Sequence, residues 1–168
     1  MDCRERVERT RPAATLCVSA CLLGCACRYD GKSVPDPQII ALGTYFHLVP
    51  LCPEQMGGLP TPRTPSEYNG TAVMMQNGTC VTDAFFRGAR EALRLIRLHG
   101  AIGVILKDKS PSCGVGTRYD GSFTKTLTDG DGVTAELLRR EGIPVLAATR
   151  AHTMTPDHLR QYFLSSER

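Results

Sequence analysis

Eight cysteines are spread along 168 residues, and three of them stand in the same kind of place. Cys21 follows the apolar run at residues 15–20, and Cys52 closes the run beginning at residue 46. Cys113 follows the run at residues 101–106 after a short polar segment. A thiol just beyond a buried strand sits where an open α/β sheet gathers its binding groups. Cys21, Cys25 and Cys27 also crowd one loop as C-x3-C-x-C, a metal signal that lacks the paired C-x2-C spacing of a zinc ribbon. Isolated thiols on three separate loops suit an iron–sulfur cluster, in which each iron needs only one thiolate. With three protein ligands, one iron of a four-iron cluster stays open for Lewis-acid chemistry. The competing reading is a non-catalytic zinc module closed by Cys21, Cys25, Cys27 and one distant cysteine. Cys17 lies inside an apolar run and reads as a small core residue.

Other groups of chemical interest fall on the same loops. Glu54 stands two residues after Cys52, where a carboxylate can activate water or hold substrate. Its plain alternative is a surface residue making a loop hydrogen bond. Ser110 and Ser112 flank Pro111, a pattern that also serves simple turn chemistry. Arg28, Lys32, Arg63, Lys107, Lys109, Arg118 and Lys125 are expected on the rim, where several cations together attract an anionic ligand. The four histidines show no mutual spacing that marks a metal site.

These residues need elements to position them. The pattern predicts strands at 15–20, 46–49, 101–106 and 143–147, with a short strand at 71–75. Helices are expected at 38–42, 82–99, 133–140 and 156–164. Thr82 and Asp131 are the expected caps of the second and third, with Gly100 and Gly142 their stops. In the second helix, Phe85, Ala89, Leu93 and Ile96 share one face. Residues 52–69 and 113–132 read as long loops. Alternating strands and helices imply an α/β fold, a single Rossmann-like domain with a mainly parallel central sheet flanked by helices. It is expected to span residues 15–168 after a disordered tail at 1–14.

The bulk numbers agree with such a domain. Hydrophobic residues make up 42% and charged residues 22%, as in ordinary globular proteins. A formal net charge of +3 is too weak to argue for DNA, and 6% aromatics argue against a surface for single-stranded RNA. The first fourteen residues lack a signal-peptide core, and no apolar run reaches the roughly twenty residues needed to span a membrane. A cytoplasmic protein is expected, in which the cysteines stay reduced.

The ordered motifs resemble a bacterial family of thiouracil desulfurases (desulfidases). They are S-A-C-L-L-G-x-x-C-R-Y-D-G at residues 19–31, L-C-P-E-Q-x-G-G-L-x-T-P-R-x-P-S-E at 51–67 and K-x-x-S-P-S-C-G at 107–114. V-T-x-x-F-x-x-G-A at 81–89 and G-I-P-V at 142–145 complete the set. The resemblance implies a [4Fe-4S] cluster held by three cysteines, with the fourth iron free for the sulfur of a small thiolated pyrimidine. The motif cysteines are Cys21, Cys27, Cys52 and Cys113. Cys21, Cys52 and Cys113 are the expected ligands because each follows a strand, and Cys27 is the reserve. Glu54 is the expected water-activating residue and Ser110 the expected substrate contact. Cys80 stands where the family often has an acidic residue.

Overall fold

The structure is a computed structural model and describes residues 14–165. The tail expected at 1–14 therefore lies, apart from Ala14, outside the described residues.

The buried run Thr15–Ser19 forms β1, and a 3-10 turn at Ala20–Leu23 follows it. Asp36 caps α1 (Pro37–Ala41), its carboxylate accepting from the backbone of Gln38 and Ile39. Strand β2 (His47–Leu51) runs directly into α2 (Pro53–Met56), with Cys52 between them. A hairpin of β3 (Ser66–Tyr68) and β4 (Val73–Met75) precedes the long helix α3 (Thr82–Leu98). Strand β5 (Gly103–Leu106) leads to a second hairpin, β6 (Thr117–Tyr119) and β7 (Leu127–Asp129). The chain ends with α4 (Val133–Arg140), β8 (Val145–Ala147), α5 (Ala148–Ala151) and α6 (Pro156–Ser165).

The central sheet has the order β2-β1-β5-β8, and every pair in it is parallel. Period-two alternation divides its side chains between two layers. Leu16, Val18, Ile105 and Leu146 pack with Ile39, Phe46, Leu159 and Phe163 on one face. Cys17, Val104, Leu106 and Val145 pack with Ala92, Leu93, Ile96 and Leu138 on the other. Cys17 is thus a core residue, and burial pushes its thiol up to about 12. Connections leave β1 toward β2 on one side and reach β5 on the other, which makes the β1/β5 edge a topological switch point. There the Ser19 hydroxyl accepts from the Lys107 backbone at 3.0 Å, tying the two carboxyl ends together.

Several local expectations are corrected. Both long loops contain structure: residues 52–69 hold α2 and β3, and residues 113–132 hold the β6–β7 hairpin. Their strands are only three residues long, too short for a clear period-two signal. Thr82 is the first residue of α3 rather than its cap, and its hydroxyl accepts from Val73 N at 2.9 Å. Gly132 occupies the cap position of α4; Asp131 instead accepts from Gly116 N and pairs with Arg139 at 3.1 Å.

One close approach matters for function. A Cβ at Gly88 of α3 would lie 1.8 Å from the carbonyl oxygen of Pro53 in α2. Only glycine allows the backbones to meet there. Gly88→Ala is expected to push α2 outward and lower stability by about 1–3 kcal/mol, read as a lower urea midpoint at unchanged slope. An unchanged midpoint would show that the α2–α3 contact is looser than drawn.

Candidate active site

The carboxyl edge of the sheet opens into a cavity of about 430 Å³. Its floor comes from the strand ends: Ser19 to Cys21 after β1, Leu51 to Glu54 after β2, and Lys107 onward after β5. Four cysteines line it, Cys21, Cys27, Cys52 and Cys113. Cys21, Cys27 and Cys113 are buried and Cys52 is half-buried. Cys27 comes from mid-loop because the chain folds back there: Cys25 N donates to Ala20 O at 3.1 Å and Cys27 N to Cys25 O at 2.9 Å. Cys25 itself is exposed and does not reach the cavity.

The Cys52 thiol donates to the Cys27 carbonyl oxygen at 3.8 Å. The neighbouring Cys27 thiol, with Lys107 nearby, draws the Cys21 thiol down despite burial. The Cys21 thiol, with burial, pushes Cys27 up to about 11 against the effect of Cys52, and Cys27, followed by burial, pushes Cys52 up. Cys113 is raised chiefly by burial, against hydrogen bonds involving Ser19 and Ser112.

Glu54 reaches the cavity from α2 and is held there by Arg63. The guanidinium's Nη2 forms an ion pair with one carboxylate oxygen at 2.7 Å, and its Nε donates a hydrogen bond to the same oxygen at 2.9 Å. Its remaining donors reach Cys27 O at 3.2 Å, Pro60 O and the Thr61 hydroxyl. The Arg63 side chain is only 3% exposed, so it acts as a fixed post joining Glu54 to the Cys27 loop. Ser110 Oγ accepts from the backbone of Ser112 at 3.1 Å and of Cys113 at 3.0 Å. Both acceptor positions being taken, its O–H is left to donate, and Ser110 lines the cavity. Ser112 is fully buried and bonds Thr134 at 2.8 Å, fixing the turn from beneath.

Of the seven expected rim cations, Arg28, Arg63, Lys107, Lys109 and Lys125 line the cavity. Lys32 does not, and Arg118 is buried elsewhere, where it lies 4.7 Å from the Tyr68 ring and donates to the Tyr68 carbonyl. Tyr29, Tyr119, Phe123, Glu67 and Gln76 also line the cavity. Sequence reasoning did not single these out as site residues. Glu67 carried a usable signal, since it closes the residue 51–67 motif that contains Cys52 and Glu54.

These features describe an α/β protein with a thiol-lined cavity at the carboxyl edge of a parallel sheet. The chain belongs to the 2-thiouracil desulfurase family, whose model matches residues 16–150. It is 39% identical over 140 residues to the uncharacterized protein YbbK of Bacillus subtilis (strain 168), covering 77% of this chain and 93% of that one. A solved structure described as a [4Fe-4S]-dependent thiouracil desulfidase, TudS, is 41% identical with a TM-score of 0.80. It covers 90% of this chain and 99% of the other.

The donor set fits a cluster better than a single ion. Thiolates are the usual ligands of iron–sulfur clusters, and four thiols line this one cavity. The zinc alternative also required Cys25, which is exposed and does not line the cavity.

Proposed function

We propose that this protein is a [4Fe-4S]-dependent desulfurase of thiouracil or a related thiolated pyrimidine base, nucleoside or nucleotide. It replaces sulfur by oxygen through hydrolysis of the carbon–sulfur bond, without net redox change. The observation that carries this reading is the meeting of four thiols with the Arg63-held Glu54 in one cavity of a family member.

Cys21, Cys52 and Cys113 would hold the cluster, with Cys27 as the alternate to Cys21. When bound through three thiolates, the cluster supplies a Lewis-acidic, sulfur-binding iron. The other steps fall to the chain's own groups. Glu54 orients a water and takes its proton at the carboxylate as the water adds to the thiolated carbon. Arg63 keeps that carboxylate in place through an ion pair and a hydrogen bond donated by Nε. The Ser110 hydroxyl donates to the ring or to the charge that develops on it. Lys107 and Lys109 line the same cavity and add positive potential to it. Water and a thiocarbonyl give a carbonyl and hydrogen sulfide, so atoms and electrons balance.

We place the protein in the cytoplasm, where thiols stay reduced; no helix among the described residues is long and apolar enough to cross a membrane. Anaerobic purification should yield a brown protein with about four irons per chain. It should convert 2-thiouracil to uracil and sulfide in equal amounts. A colourless protein carrying one stoichiometric zinc and inactive on thiolated pyrimidines would overturn this reading.

A further inference from the structure

The tip of the β6–β7 hairpin is built with unusual care for a surface loop. Phe123 and Lys125 have φ values of 59° and 63°, the left-handed region that bulky side chains rarely adopt. Both line the cavity. The tip is held from below by Glu67, which lies beside the cavity at the start of the β3–β4 hairpin. One Glu67 carboxylate oxygen accepts from Gly121 N at 3.0 Å and from Phe123 N at 2.9 Å. Asp120 accepts from Ser122 N and its hydroxyl, and the hydroxyls of Ser122, Thr124 and Thr126 follow in series at 2.7 Å spacings. Gly121 presses so close to the neighbouring hairpin that a Cβ there would lie 2.7 Å from the Asn69 Cβ.

An aromatic side chain in a rarely used backbone conformation persists only where its surroundings over-determine it, and such positions gather at ligand sites. Here the surroundings are a carboxylate clamp and a hydroxyl ladder, and what they deliver to the cavity is one flat apolar ring, half-buried. The other aromatic residues at the cavity are less free to play this part. Tyr29 is 43% exposed and engaged with Arg28, and Tyr119 belongs to strand β6 itself.

We propose that Phe123 is the stacking face for the planar ring of the substrate, and that Glu67 is the positioning residue that holds this face in the cavity. The proposal deepens the desulfurase reading and rests on it for the ring's identity. It makes the hairpin tip a specificity element for flat, conjugated heterocycles. A pyrimidine offers a π-face to Phe123, whereas a ring saturated at carbons 5 and 6 is puckered and loses that contact.

The test uses anaerobically prepared holoprotein and variants Phe123→Ala, Phe123→Tyr and Glu67→Ala. Phe123→Ala should raise KM for 2-thiouracil about 5- to 20-fold, the scale of one lost ring–base stack, with kcat changed less than about twofold. Iron content and the visible spectrum should match wild type. Phe123→Tyr should restore KM, because it restores the ring. The wild-type preference for 2-thiouracil over 5,6-dihydro-2-thiouracil should shrink in Phe123→Ala by a similar factor. Glu67→Ala should copy the KM effect and speed amide exchange at residues 121–125. Calorimetric binding of uracil to the same holoproteins reads the stack without turnover. An unchanged KM and an unchanged uracil affinity in Phe123→Ala would overturn the proposal. Absence of wild-type turnover with Phe123-dependent uracil binding would instead overturn the desulfurase reading and leave the stacking face standing.

Discussion

Cys52→Ala is expected to yield a folded, colourless and inactive protein. Cys52 lies between β2 and α2 with an extended backbone (φ −128°), so its side chain emerges at the sheet's carboxyl edge. Its thiol donates to the Cys27 carbonyl at 3.8 Å. Removing it takes away one of the three proposed cluster ligands, and a cluster left with two of its three thiolates is not retained. Iron should fall from about four per chain to below about one, with visible absorbance and desulfuration falling together. The folding cost should be small, about 1 kcal/mol, because Cys52 is only half-buried at the rim of the core. Cys52 is therefore a cleaner test than the buried Cys113. Unchanged far-ultraviolet circular dichroism would separate loss of the cluster from loss of the fold. Cys25→Ala serves as the matched control: its side chain is exposed and outside the cavity, so iron and activity should stay at wild-type values. A brown, active Cys52→Ala protein, or a colourless Cys25→Ala protein, would remove the proposed ligand set.

The residues that were legible in the sequence are those governed by local rules. Continuous apolar runs marked β1 and β5, the buried central strands, and the 3.6-residue period marked α3 with Phe85, Ala89, Leu93 and Ile96 all buried inward. From strand ends it followed that Cys21, Cys52 and Cys113 would approach one edge, and all three line the cavity. What escaped depends on contacts between distant segments. Cys27, the reserve ligand at mid-loop, owes its place beside Cys21 and Cys52 to a reverse turn bonded to Ala20. Arg63 looked like one rim cation among seven, and only the folded chain shows it buried against Glu54. Phe123 had no sequence signal, since a positive φ at a phenylalanine is set by Glu67, more than fifty residues earlier.

Glu54→Gln is expected to keep the cluster and lose turnover by about 10²- to 10⁴-fold, the usual contribution of a positioned acid–base group. Gln fills the same volume and can still accept from Arg63, so the loop should hold its shape. What it lacks is the capacity to take a proton from water. The loss should therefore appear in kcat, with KM, iron content and the visible spectrum near wild type. Glu54→Ala is a harsher probe, because it strips the carboxylate from a guanidinium that is almost fully buried. Arg63→Lys separates position from chemistry. A lysine keeps the charge but cannot bond Glu54 while also reaching Cys27 O and Pro60 O. Displacement of the carboxylate by about an ångström is worth about 10²-fold in rate, so Arg63→Lys should fall between wild type and Glu54→Gln in kcat. The double variant should lose little beyond Glu54→Gln alone, since Arg63 acts on the rate through the carboxylate. Additive losses would mean that Arg63 contacts substrate independently, and a fully active Glu54→Gln protein would place the proton acceptor elsewhere in the cavity.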